Sequence, residues 1–176
     1  MNGSIRPMVR KKRKVFEKGH RRKFLVVVDE TPECEVALEF AASRVEHTQG
    51  GALALLYVVE PNEFQHWLGV EEIAREEGTN KARAVFRLFG RKLKTLGHTK
   101  LKPEEIIREG GKAEEIVALI EEDEDIAILV LGASKDPSGP GPLVSSLAAG
   151  KFAGSFPIPI TIVPGELSTD DIKALA

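Results

Sequence analysis

Apolar runs and polar punctuation alternate along this chain in a pattern that sets its architecture. Residues 24–28 (FLVVV), 52–59 (ALALLYVV) and 126–131 (IAILVL) are unbroken apolar runs. Their length and β-branched content predict strands buried on both faces. Thr31-Pro32-Glu33 predicts a helix start, with a hydroxyl N-cap, proline at the first helical position and an acid in the first turn. Val36, Ala37, Phe40, Ala41 and Val45 then share one helical stripe to about His47, and Gln49-Gly50-Gly51 ends it. Residues 62–99 are less regular. Phe64, Trp67, Leu68 and Val70 cluster there, followed by two expected helical pieces, 71–77 and 81–96, with Gly78-Thr79-Asn80 between them. A short strand is expected around Ile106-Ile107, a turn at Gly110-Gly111, and an amphipathic helix over 113–122. Ser168 is expected to cap a short terminal helix.

The resulting order, β-α-β-α-β-α-β-loop-α-β, predicts an α/β fold: a five-stranded parallel sheet with helices on both faces. Ligands in such sheets bind at the carboxyl ends of strands where the winding reverses. Asp29, ending the first strand, and Gly132, ending the fourth, flank that crevice if those two strands are neighbours. After Gly132 come twelve residues, ASKDPSGPGPLV, whose three prolines and two glycines fit no regular element. Ser145 and Ser146 then open a short small-residue segment that includes Leu147, and residues 157–163 (PIPITIV) close it as a β-rich run. A buried strand, a glycine-bearing loop and a helix N-terminus in succession gather free amides and a positive dipole, as a phosphate site requires.

Composition narrows the class. The chain has 176 residues, 42% hydrophobic and 30% charged, as for an ordinary globular domain. One cysteine, Cys34, excludes an internal disulfide, no apolar run reaches the length of a membrane span, and no signal-peptide core is present. A cytoplasmic protein with no membrane partner is expected. The net charge of −2 conceals an asymmetry: residues 1–23 hold ten Lys/Arg and one acid, leaving 15 basic and 26 acidic residues, a net of −11, for the remainder. Residues 1–22 read as a basic, flexible arm, 23–165 as the α/β domain and 166–176 as the terminal helix. The arm is the one hint of nucleic acid, which is not otherwise expected as a partner, and the alternative is that it folds back on the acidic body. The acidic run 121–125 reads as solvated surface.

Four sequence segments resemble the universal stress protein family: VVVDET with its following helix, LLYVVEP, ILVLGAS and the terminal PITIV, together spanning residues 24–163. The resemblance implies a five-stranded parallel sheet, a homodimer, and one of two classes, nucleotide-binding or non-binding. In the binding class ATP (with Mg if bound) is held by a motif after the fourth strand: Gly, two residues, Gly, nine residues, Gly, then Ser or Thr. Here Gly132 takes the first place, Lys135 the second, Ser145 the third and Ser146 the last, so two of the four positions match. Gly139 and Gly141 lie inside the spacer, where the loop can re-form around them. Pro140 and Pro142 each remove an amide, whereas Lys135 supplies a charge. The family's adenosine contacts fall on Val28, Asp29 and Val58. Asp29 either accepts from a ribose or adenine amine or bonds the amides near Thr31. Val58 alone is core, and Ser146 either meets phosphate or caps its helix.

Catalytic signatures are sparse. His20, His47, His66 and His98 are dispersed, with no metal-binding spacing, so no metal site is expected. Neither a nucleophile elbow nor a Walker loop is present. Cys34 sits in a helix's first turn, where the dipole lowers a thiol pKa, but it reads better as a buried filler. The expected role is therefore a stress-response binding and signalling protein, not an enzyme, with ATP as its candidate ligand. The rivals are a non-nucleotide-binding dimeric scaffold and a slow nucleotide hydrolase. Against the hydrolase, Asp29-Glu30-Thr31-Pro32 stands where a Ser-Gly-Gly-x-Asp-Ser run is wanted. A homodimer is expected through the terminal strand, 158–163, with Ile158 and Val163 at its ends, because an apolar edge strand requires cover.

Overall fold

The structure, a computed structural model, describes residues 11–61 and 69–176, so the aromatic cluster of Phe64, His66 and Trp67 lies outside the described residues. Five strands, β1 (Arg22–Val27), β2 (Gly51–Val59), β3 (Glu104–Glu109), β4 (Ile126–Ala133) and β5 (Ile160–Pro164), form one sheet in the order β3-β2-β1-β4-β5. Every neighbouring pair is parallel. The helices are α1 (Pro32–Glu46), α2 (Val70–Thr95), α3 (Lys112–Glu122) and α4 (Thr169–Leu175).

Side-chain alternation along the strands divides the core in two. Phe24, Val26, Val28 and Val130 pack against α1 and α2, where Leu38, Phe86 and Phe89 are buried. Leu25, Val27, Leu129 and Leu131 face α3 and the β4–β5 connection, against Ile116, Ile120, Val144 and Leu147. A bulge adjusts β4: Lys23 pairs with Ile126 and Phe24 with Ile128, so Ala127 is an extra residue. The insertion puts Ile126 on the α3 face with Leu129.

Three expected elements differ in the structure. The two helical pieces are one helix, α2, because Gly78 lies inside it and not at a break. A Cβ there would run into the side chain of Val59, so the glycine lets α2 cross the end of β2 closely. No proline interrupts the hydrogen-bond ladder, and an interior glycine costs only about 1 kcal/mol. The last strand begins at Ile160, not at residue 157, since Pro157 and Pro159 cannot donate to the ladder. The segment after the loop is a single π-turn, Val144–Ala148, with the serines inside it and not at its cap. The terminal helix α4 has Ser168 as N-cap in a reciprocal box with Asp171, and buries Ile172.

At the amino-terminal edge of the sheet, residues 11–21 lie on the acidic turn after α3. Arg13 Nη1 donates to the carbonyls of Ile120 (2.7 Å), Asp123 (3.0 Å) and Ile126 (3.3 Å). The first of these lies in the last turn of α3, whose final carbonyls have no intrahelical partner; Asp123 is the C-cap and also accepts the Ile126 amide (3.2 Å), and Ile126 opens β4. Lys14 pairs with Glu124 (2.8 Å), His20 with Asp125 (2.6 Å), and Lys23 with Asp123 (2.6 Å) and Glu104 (2.8 Å). Burial works against the Asp125 carboxylate, but hydrogen bonds from His20 and the Arg21 amide outweigh it and hold the group below its ordinary range. Among the described residues Arg13 Nη2 is buried without a partner, which offsets part of the gain. Arg13→Ala is expected to lower the unfolding free energy by ~1–3 kcal/mol, read from urea denaturation. Lys12→Ala on the same arm is expected to change it by less than ~0.5 kcal/mol. Equal effects would contradict the capping role.

Candidate functional site

The winding reverses between β1 and β4, and a cavity of about 340 Å³ opens there at the carboxyl ends. Val27 and Asp29 form one wall, and Leu131 and Gly132 the opposite wall. The first turn of α1 (Thr31, Glu33, Cys34) closes one side, and Lys112, which starts α3, stands at another. Pro140, Gly141, Pro142, Leu143 and Val144 cover the remainder.

Most polar groups here have local work. Asp29 Oδ1 accepts from the Thr31 amide (2.8 Å) and the Thr31 hydroxyl (2.6 Å). That hydroxyl in turn accepts from the Cys34 amide (3.3 Å) as the N-cap of α1. The Cys34 thiol donates to the Val27 carbonyl (3.4 Å), and its sulfur accepts from the Asp29 amide (3.4 Å). Burial, reinforced by the nearby Asp29 carboxylate, pushes the Cys34 pKa up to about 12. The helix dipole does not activate it: the thiol is neutral at physiological pH and acts as a hydrogen-bonded filler. Lys112 pairs with Glu60 at 3.3 Å. Among the charged residues lining the cavity, two are carboxylates, Asp29 and Glu33, and one is a cation.

The loop after β4 closes on itself. The Ser134 amide donates to the Pro140 carbonyl (3.0 Å) and the Gly139 amide to the Asp136 carbonyl (3.1 Å). The Asp136 amide donates to Ser134 Oγ (3.1 Å), and the Ser138 amide to Asp136 Oδ1 (2.8 Å). Positive φ falls at Gly139 (135°) and Gly141 (103°), and at no non-glycine position among the described residues. Gly132 is fixed by packing: a Cβ built on it would fall on the carbonyl oxygen of Glu33, well inside van der Waals contact.

Of the residues singled out from sequence, Asp29, Gly132 and Gly141 line this cavity. Val28 is buried on the α1–α2 side, and Val58 and Leu147 are buried on the α3 side without lining it. Lys135, Ser145 and Ser146 are exposed. Ser146 Oγ lies 3.4 Å from the Leu143 carbonyl, to which it donates, and caps nothing. Lys112 was missed by sequence reasoning, and its signal is positional: the first residue of a helix that follows Gly110-Gly111 at a strand's carboxyl end. Val27 lines the cavity and Val28 does not, because period-two alternation puts 27 and 29 on one face.

A larger cleft, about 450 Å³, lies over the ends of β2 and β3. Its carboxylates Glu60, Glu71, Glu77 and Glu109 outnumber its cations. Arg75 is held by Glu109 (2.7 Å), and Lys81 faces Glu30 (3.5 Å). The smaller cavity is the better site because it sits where the winding reverses and has the more apolar wall.

The profile of the Universal stress protein family matches residues 20–164. This chain belongs to the universal stress protein family. No curated protein matches it in sequence. Its fold is similar to that of the universal stress protein UspA from Lactobacillus plantarum, at 19% identity and a TM-score of 0.64, covering 81% of this chain and 98% of that one. A universal stress protein solved in complex with cAMP is similar at 15% identity and a TM-score of 0.54, over 84% of this chain and 99% of that one. The universal stress protein from Archaeoglobus fulgidus gives 18% identity and a TM-score of 0.52, over 81% and 93%. No helix among the described residues is long and apolar enough to cross a membrane, and none of their His, Cys, Asp and Glu side chains cluster as a metal site.

Two results are expected from the cavity wall. At about pH 8 native Cys34 should resist alkylation, because a pKa of about 12 leaves only ~1 thiolate in 10,000. A folded-state pKa above the thiol's ordinary 9.0 contributes stability that is whole below pH 9 and is lost as pH rises toward 12. The stability gap between wild type and Cys34→Ala should therefore narrow through that window, and a gap that stays constant would contradict the assignment. Separately, Gly132→Ala should cost at least ~2 kcal/mol in urea denaturation, because backbone and not a flexible side chain must move.

Proposed function

We propose that this universal stress protein is a cytoplasmic, non-catalytic binding and signalling protein whose β1–β4 cleft takes an adenosine compound carrying a short anionic tail. The single observation that carries the proposal is the cavity between Asp29 and Gly132 at the reversal of the sheet. Both Thr31 bonds fall on Oδ1 of Asp29, and Oδ2 is the oxygen proposed to accept from a ribose hydroxyl or an adenine amine. Lys112 is the cation for a single phosphate. The relative solved with cAMP supports this ligand class.

ATP with Mg²⁺, held in the manner the family resemblance implies, fits the wall less well. Four loop amides are spent within the loop, three more positions are proline, and Lys135 points its charge from an exposed site. Asp29 and Glu33 would repel a polyphosphate with one lysine opposing them. Neither Asp29, committed to its turn, nor Cys34, neutral, serves as a base or nucleophile, and no catalytic residue is assigned.

We also propose a homodimer. β5 is an edge strand, and Ile162 on it is 43% exposed. Pairing with a second copy would cover both.

Titration calorimetry should show adenosine monophosphate or cAMP binding more tightly than ATP, with Lys112→Ala weakening the phosphorylated ligands and leaving adenosine unchanged. Saturable binding of no adenosine compound would reject this reading and leave the dimeric scaffold. In light scattering at micromolar concentration the wild type should be a dimer and Ile162→Lys a monomer. A monomeric wild type would reject the edge-strand interface.

A further inference from the structure

We propose that the arm over residues 11–21 is a binding surface for single-stranded nucleic acid, with Phe16 as its stacking platform. The inference is independent of the cleft, which lies at the opposite edge of the sheet.

The arm divides its side chains between two tasks. Arg13, Lys14 and His20 fasten it to the turn after α3, with Lys23 beside them. Arg108 pairs with Glu122 on the same turn. Lys14 and Arg108 offset Glu124 and Glu122, and Lys23 is shared between Asp123 and Glu104, so the acidic charge beneath the arm is reduced. Arg21 Nη2 also donates to the Gly51 carbonyl (2.6 Å) and Val15 is half-buried, while Lys11, Lys12 and residues 16–19 are exposed. Phe16 is 88% exposed, the most exposed large apolar side chain among the described residues. It sits in a turn between Lys12 and Lys18, both exposed and without an ion pair among the described residues, while exposed Lys11 adds its field near Glu122 and Glu124. A fully exposed ring on an anchored turn, flanked by unpaired ammonium groups, matches what a strand with unstacked bases offers: a π-face for the ring and phosphates for the lysines.

Charge and shape favour a strand over a membrane. An anionic bilayer is broad and would confront the net −11 of the body, and it would gain one phenyl group, with Glu17 exposed beside it. A single strand is narrow enough to meet the turn alone. A duplex hides its base faces and would gain only the lysines.

Fluorescence anisotropy of the full chain with a short labelled oligothymidylate tests this. Saturable binding is expected, with log K falling against log salt at a slope of about −2 for roughly three phosphate contacts on a single strand. Phe16→Ala is expected to weaken binding about tenfold or more and Phe16→Trp to retain it. Lys12→Ala with Lys18→Ala should flatten the slope toward about −1. All these positions are exposed, and thermal melts check that the variants stay folded. No binding at about 50 mM salt, or a Phe16→Ala variant equal to wild type, would overturn the proposal. So would capture by phosphatidylserine-rich vesicles that the oligonucleotide fails to compete, which would assign the arm to a lipid surface.

Discussion

The carboxyl edge of the sheet depends on one close approach, the backbone of Glu33 lying directly on Gly132. Without a side chain at 132, the first turn of α1 settles onto the end of β4. A second glycine, Gly165, repeats the constraint: its Cβ position lies 2.6 Å from the Ala133 carbonyl and 3.2 Å from Glu33 Cβ. The ends of β4 and β5 and the start of α1 are thus pinned at one point. That contact brings the N-cap Thr31, the turn carboxylate Asp29 and the thiol of Cys34 to the cleft, since all three are within a few residues of Glu33. A glycine that a motif would assign to phosphate is here required by packing, whatever ligand the cleft holds.

At the opposite edge the governing term is electrostatic. An acidic run at a helix C-terminus opposes the macrodipole and sets like charges side by side. The chain answers with cations from its own N-terminal segment and from β3, and one of them, Arg13, also donates to the Ile120 carbonyl in the last turn of α3 and to the Asp123 and Ile126 carbonyls just beyond it. The individual ion pairs are half-exposed and worth little singly. Arg13, which bonds three carbonyls, is the contact that fixes where the arm lies. Lys14, paired with Glu124, stays on the surface with it, and the exposed turn of residues 16–19 then carries the ring of Phe16 into solvent.

Much of the fold was legible because apolar runs and helix caps are local signals. The buried strands at 24–28, 52–59 and 126–131, the Thr31-Pro32 start of α1 and the Ser168 cap of α4 all depend on neighbours in sequence. The errors came where a residue answered to a distant partner. Gly78 looked like a break because Val59, against which α2 packs, is nineteen positions away. The shortened β5 was readable from its prolines, but the apolar pattern outweighed them. At the cleft, Asp29 and Gly132 were found from their places at strand ends. Lys112 was not, because its position depends on which strand end faces which helix start. The docking of the arm was written in the charge asymmetry, but only the structure shows that Arg13 does the fastening.

The departures from the glycine motif form one change. Lys135 and Ser145 stand where the family pattern wants glycine, and both adopt ordinary negative φ. The positive-φ requirement has moved to Gly139 and Gly141, inside the spacer. Moving it allows the Asp136 carboxylate and the Ser134 hydroxyl to receive amides that an anion nest would have presented outward. Asp136 is held below its ordinary pKa range by those Ser138 bonds, so it stays ionised at neutral pH and keeps the turn closed. A loop already satisfied by its own carboxylate has little to gain from a polyphosphate. On the proposed adenosine reading, selectivity in this cleft rests on the rigid elements, β1, β4 and the start of α3, and not on the loop.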